Sequence, residues 1–175
     1  GHVTGVQTCA LPISTRPPAP APAPVIEFVD VTVAGERLRL EHAWVGSAPR
    51  SAPLLVFLHE GLGSLAMWRD VPEQLCQAAG CRGLVYSRPG YGRSTPRVAG
   101  QAWDVDFMHR QAQDVLPAFL DAVGVDFTRD RVWLFGHSDG GSIALLHAAR
   151  FPGAAAGLVV MAPHILVEDL TVASI

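Results

Sequence analysis

Cysteine is too scarce to staple this chain. There are three in 175 residues, Cys9, Cys76 and Cys81, and an odd number at irregular spacing builds no disulfide framework. Cys76 and Cys81 read as two free, partly buried thiols near a helix end and the strand after it. Histidine and cysteine nowhere recur at zinc spacing, so no metal is called for. An excess of positive charge is missing as well. The formal net charge is −3 and the Lys and Arg residues are scattered, which argues against a nucleic-acid footprint and against a polybasic membrane patch. Aromatic side chains make up only 7% and are not interleaved with basic ones. No apolar run is long enough to span a bilayer. The longest, residues 154–167, is broken by Gly157, Pro163 and His164. What remains is one globular domain of a reducing compartment, expected to be cytoplasmic. It is expected to take a small-molecule substrate, to need no cofactor, and to bind neither nucleic acid nor membrane. Nothing in the sequence sets an oligomeric state.

The two ends differ from the middle. Residues 1–14 open on Gly1 and show neither helical nor strand period. They have no basic region ahead of an apolar one, so they do not read as a signal peptide. Residues 3–13, VTGVQTCALPI, resemble the translation of a sequencing-adapter oligonucleotide, and residues 1–14 are expected to be a non-native leader. Residues 15–24, TRPPAPAPAP, are a Pro/Ala linker, extended and solvated. The domain occupies residues 25–175 and is expected to be incomplete. After His164 the run ILVEDLTVASI reads as a helix just starting, with no terminating signal.

Within the domain, residues 25–45 alternate apolar and polar around Ala34-Gly35-Glu36, which predicts a hairpin. LLVFLH is a short continuous apolar run, the mark of a strand buried on both faces. Asp70-Val71-Pro72-Glu73 predicts a helix start with Asp as N-cap, and Gly80 predicts its end. GLVYS is the next strand. A helical stripe runs from Asp104 to Val123, with Pro117 expected to kink it. RVWLFGHS is a strand, residues 139–150 a helix and residues 156–162 another strand. Strands alternating with helices predict an α/β fold, a mostly parallel sheet with helices on both faces. In such sheets ligands sit at the carboxyl ends of the strands. The loops HEGLGS, SRPGYGRS, GHSDGG and APH all follow strands, so they converge on one edge.

Gly136-His137-Ser138-Asp139-Gly140 fits G-x-S-x-G. The five letters alone are weak, but here an apolar strand precedes them and a helix follows. A serine on that sharp turn presents Oγ above the sheet, and the helix N-terminus directs its dipole and amides at developing negative charge. Ser138 is therefore the expected nucleophile. An oxyanion hole needs two backbone donors, assigned to the N–H groups of Asp139 and Gly61. His59 reads as structural, bonded to nearby backbone. Leu62, Trp68 and His164 are candidate pocket residues, with core packing an equal reading for Trp68 and a structural role open for His164. Asp139 either favours cationic substrates or simply suits the helix dipole. His147, mid-helix, is packing or surface.

The trio HEGLGS, SRPGYGRS and GHSDGGSIAL resembles the α/β-hydrolase fold superfamily, in particular its bacterial esterase-like and C–C-bond-hydrolase-like branch. The resemblance covers residues 25–175 and implies a serine nucleophile acting through an acyl-enzyme on an ester-like carbonyl. Glu60 departs from the His-Gly pair of relatives, and Ser87 stands where relatives often carry Asp; both are expected to alter pocket polarity. The family's order of Ser, then acid, then His is not met here. After Ser138 the histidines are His147 and His164, and the only acid before either is Asp139. The triad acid and histidine are expected beyond Ile175, and the fragment is expected to be inactive. Two other readings stay open. One is a non-catalytic binding domain of the same fold. The other is a dinucleotide-binding module, in which Gly61, Gly63 and Ala66 fit G-x-G-x-x-A and Arg88 meets a 2′-phosphate.

Overall fold

The computed structural model describes residues 22–102 and 104–163. The expected leader, most of the linker, His164 and the expected terminal helix lie outside the described residues. Residues 22–24, the end of the linker, are exposed.

Strands β1 (Glu27–Val33) and β2 (Glu36–Val45) form the predicted hairpin. Its turn places Ala34 and Gly35 at positive φ, 50° and 82°, the backbone that a two-residue hairpin connection requires. β3 (Leu54–Leu58), β4 (Arg82–Tyr86), β5 (Val132–His137) and β6 (Gly157–Met161) follow. The sheet order is β1-β2-β4-β3-β5-β6. β2 pairs antiparallel with β4, whereas β4, β3, β5 and β6 are parallel to one another. All four parallel strands therefore end at one edge.

Helices cover both faces, and the strand period shows why. Leu54, Val56 and Leu58 of β3 join a core with Leu84, Tyr86, Leu116, Phe119 and Ile143. The alternate residues Leu55 and Phe57 join a second core with Val85, Cys76, Leu75 and Phe135 on the opposite face. Every side chain of β3 thus has an apolar destination, as its unbroken apolar sequence requires. Helix α1 (Val71–Ala79) lies over the second core, and α4 (Asp139–Arg150) lies over the first.

Two local expectations are corrected. Asp70 makes no side-chain cap bond; its carboxylate instead accepts from Gln74 Nε2 at 2.6 Å. Glu73 accepts from the Gly46 amide at 2.7 Å, which ties α1 to the end of β2. The stripe over residues 104–123 is helical without a break from Phe107 to Ala122, but not evenly wound. It splits into α2 (Phe107–Arg110), a π-helical turn (Gln111–Val115) and α3 (Leu116–Ala122). Pro117 cannot donate to the turn before it, and its ring clashes with the carbonyl of residue 113 in a regular helix. Widening the preceding turn relieves both problems, and Pro117 then sits in the first turn of α3, where it is tolerated. Cys76 and Cys81 are free, as expected, but fully rather than partly buried. Burial pushes the Cys76 thiol up to about 12, with Cys81 and Glu73 adding to it, so it is no nucleophile.

Candidate active site

Ser138 sits on the turn between β5 and α4 with φ 53° and ψ −117°. That conformation is unfavourable for a residue with a Cβ and persists only where surroundings fix it. Here the fixing bonds are visible. The Ser138 N–H donates to Met161 O at 2.8 Å, and the Ser138 carbonyl accepts the Ser142 N–H at 3.1 Å. The glycines on either side are steric necessities. A Cβ on Gly136 would overlap Gly140 O and lie 2.6 Å from Gly141 N. A Cβ on Gly140 would overlap the Leu58 carbonyl and lie 2.8 Å from His59 O. The motif's spacing is therefore what lets the start of α4 press onto the end of β3.

The HEGLGS loop leaves the end of β3 beside this turn. Its Gly61 faces the Asp139 side chain so closely that a Cβ there would lie 2.5 Å from Asp139 Oδ2. The two residues assigned as amide donors are thus neighbours in space, one on the loop after β3 and the other at the start of α4. Asp139 occupies the first turn of α4, and its carboxylate lies 4.0 Å from Arg88 Nη2. Leu62 stands at the loop tip, 92% exposed. Trp68 packs in the core and also borders a small cavity. Its ring packs edge-on against Phe57 and Phe135, and it also lines a cavity of about 70 Å³ with His59, Glu60, Ser64, Met67 and His137.

Glu60 contributes to that cavity, with Oε2 4.0 Å from His137 Nδ1. Ser87 does not reach a pocket, contrary to expectation. It is fully buried, donates from Oγ to Glu41 Oε1 at 2.6 Å and accepts the Leu65 N–H at 2.8 Å. Ser94 closes the cluster by donating to Ser87 O at 2.7 Å. A Cβ on Gly92 would overlap the Glu41 carboxylate. The carboxylate that β2 supplies here, 46 residues away in sequence, anchors the loop after β4 to the hairpin.

His59 is structural in its contacts. It is buried; its Nε2 accepts the Arg88 N–H at 3.0 Å and its Nδ1 lies 2.7 Å from Glu60 O. Those partners fix the tautomer with the proton on Nδ1. Burial and the Arg88 charge lower its pKa to about 3, against a smaller opposing pull from the Glu60 carbonyl. His147 is packing, not surface. It is buried between Phe127 and Phe151, and burial lowers its pKa too. In both cases the unfolded chain binds more protons than the folded one below the ordinary histidine range. Their contribution to stability is complete above pH about 6.5 and is lost as pH falls below it, for His59 toward a folded pKa of about 3. Within that window the slope for His59 approaches about 1.4 kcal/mol per pH unit. Urea unfolding at pH 7 and pH 5 is expected to show roughly 2 kcal/mol less stability at pH 5 from His59 alone. Equal stability at the two values would contradict the neutral, buried assignment.

The dinucleotide reading does not survive the geometry. Arg88 is fully buried and bonds to the carbonyls of His59 and Glu60, so it cannot meet a 2′-phosphate. Gly61-x-Gly63 leads into a three-residue 3-10 turn (Ala66–Trp68) rather than the helix N-terminus that would hold a pyrophosphate. Among the described residues no three His, Cys, Asp or Glu side chains cluster as metal ligands. Among the described residues no helix is long and apolar enough to cross a membrane.

Comparison with known proteins follows this geometry. The chain is 34% identical over 113 residues to a 2-succinyl-6-hydroxy-2,4-cyclohexadiene-1-carboxylate synthase of Salmonella agona (strain SL483). The match takes in 65% of this chain and 39% of that protein, so the chain spans well under half the length of the curated relatives it matches. Among solved structures it is similar to a membrane phospholipase A, a bacterial virulence factor, at TM-score 0.63 and 25% identity, covering 82% of this chain and 42% of that one. It shares the fold of a thermophilic esterase from Thermogutta terrifontis at TM-score 0.62 and 23% identity, covering 82% and 48%. The sequence profile described as alpha/beta hydrolase fold matches residues 53–174. With the six-stranded sheet, the strained serine turn and that match over most of its length, the chain belongs to the alpha/beta hydrolase fold family.

Proposed function

We propose that these residues form the nucleophile and oxyanion-hole half of a serine hydrolase acting on ester-like carbonyl compounds through an acyl-enzyme. The observation that carries the reading is Ser138 held at φ 53° on the β5–α4 turn, flanked by glycines whose Cβ positions are taken up by neighbouring backbone. In this reading Ser138 Oγ attacks the carbonyl carbon, and the Gly61 and Asp139 amides receive the oxyanion that forms. The base that takes the Ser138 proton is not His59 or His147, both buried and structurally committed. With neither of those buried rings serving as the base, turnover by the 175-residue chain alone is expected to be low. The buried free thiols of Cys76 and Cys81 fit a reducing, cytoplasmic setting.

The synthase relatives support a second reading, in which the same serine serves the formation of a cyclohexadiene carboxylate. Electrostatics favours the first. The Glu60 carboxylate, its side chain 42% exposed, lines a cavity that also takes in His137, the residue before Ser138, and would repel an anionic substrate there. The discriminating experiment offers a chain extended to the length of its relatives a neutral nitrophenyl acetate and a carboxylate-bearing nitrophenyl succinate. Faster turnover of the neutral ester is expected. Preference for the carboxylate would favour the second reading, and turnover of neither would favour a non-catalytic binding domain.

A further inference from the structure

We propose that Arg88 is the positioning residue that holds both donors of the oxyanion hole in register. The inference rests on the reading of Gly61 and Asp139 as those donors. Arg88 is the largest fully buried side chain among the described residues. Burying a guanidinium costs several kcal/mol in desolvation, and an apolar side chain of similar volume generally packs as well or better. What arginine supplies instead is a rigid fork that can fix several acceptors at once. Here Nη1 donates to His59 O, Nη2 donates to Glu60 O at 3.1 Å, and Nη2 also lies 4.0 Å from Asp139 Oδ2. The guanidinium rests on the Tyr91 ring, 4.8 Å from its centroid.

The Glu60 carbonyl matters because it shares a peptide unit with the Gly61 N–H. That unit is planar and trans, so the two groups point in opposite directions. Fixing the oxygen therefore aims the hydrogen. Three donors fix this oxygen: Arg88 Nη2, the His59 ring at 2.7 Å and the Gly63 N–H at 3.1 Å. The His59 ring is placed in turn by the backbone N–H of residue 88, which donates to His59 Nε2 at 3.0 Å and is kept in any variant there. The same fork faces the carboxylate of Asp139, whose backbone is the other donor. Gly61 lacks a side chain where one would push that carboxylate away. One buried cation thus joins the loop after β3 to the first turn of α4 at the point where an oxyanion would sit. Arg88 touches no substrate; it acts through the peptide it holds.

The test uses the extended chain and its Arg88→Lys, Arg88→Met and Gly61→Ala variants, with Ser138→Ala as a separate control. Turnover of a nitrophenyl ester is measured per active site titrated. Affinity for an alkyl trifluoromethyl ketone, whose adduct places an oxyanion in the hole, is measured beside it. Arg88→Met is expected to lower kcat about 100-fold, the scale of an ångström-level misplacement, with KM within about threefold. Ketone affinity should fall in step with kcat. Arg88→Lys keeps the charge without the fork and should recover only part of the loss. If Arg88→Met does not fold, Arg88→Lys and Gly61→Ala carry the test. A lower melting temperature with unchanged kcat and ketone affinity per titrated site would overturn the proposal and leave Arg88 a purely structural residue. Retained turnover in Ser138→Ala would overturn the nucleophile reading instead, whatever the Arg88 variants do.

Discussion

Gly140→Ala is expected to destabilise the domain by about 4 kcal/mol or more, which lowers the melting temperature by roughly 10 °C or prevents folding. Two effects oppose each other at this position. Gly140 lies in the first turn of a regular helix, and propensity alone favours alanine there by about 1 kcal/mol. Against that, the new methyl would overlap the Leu58 carbonyl and crowd His59 O. Those atoms are backbone at the end of a strand paired on both sides, with β4 and β5, so they cannot yield as a side chain tip can. The steric term is the larger, and α4 must lift from β3 to accommodate the methyl. Gly124→Ala is the control. Gly124 has φ 78° but open space around its missing Cβ, so it should lose only about 1 kcal/mol from backbone strain. Equilibrium unfolding of both variants separates close approach from conformational preference. A Gly140→Ala protein as stable as its parent would mean that the turn is looser than described.

Much of this was legible in the sequence because it depends on local pattern. The alternation around Ala34-Gly35 gives the β1–β2 hairpin, and the unbroken apolar run of β3 gives a central strand with two buried faces. The spacing of Gly136, Ser138 and Gly140 between a strand and a helix gives the serine turn. What was not legible depends on partners far along the chain. Arg88 beside a proline and glycines looks like a loop cation, and its burial comes from carbonyls 28 and 29 residues earlier. Glu41 alternates as a solvent-facing strand residue would, yet it is buried because Ser87 reaches it from the loop after β4. Pro117 announced a disturbance of the helix but not its form, since a kink and a widened turn relieve the same clash. At Asp70 the residue types of a cap are present, but Glu73 is drawn to Gly46 and the reciprocal bonds do not form.

Removing one oxygen atom should have the largest effect on activity. Without the Ser138 hydroxyl there is no acyl acceptor, and the oxyanion hole has nothing to stabilise beyond attack by water. Deleting the nucleophile of a serine triad costs about 10⁶-fold in kcat, while the oxyanion hole and binding alone still leave roughly 10³–10⁴-fold over water. The substitution itself should be tolerated by the fold. The Ser138 bonds to Met161 O and from the Ser142 N–H use only backbone atoms, and alanine keeps the Cβ at the strained φ of 53°. Equilibrium unfolding of the Ser138→Ala protein beside its parent shows that it is folded, so that lost turnover reports chemistry. The direct measurement is steady-state turnover of a nitrophenyl ester by three proteins: the 175-residue chain, a chain extended to the length of its relatives, and the extended chain with Ser138→Ala. Turnover is expected only in the unmutated extended chain. Full activity in the Ser138→Ala protein would remove the nucleophile assignment, and Ser138-dependent turnover by the 175-residue chain would show that a base lies within it.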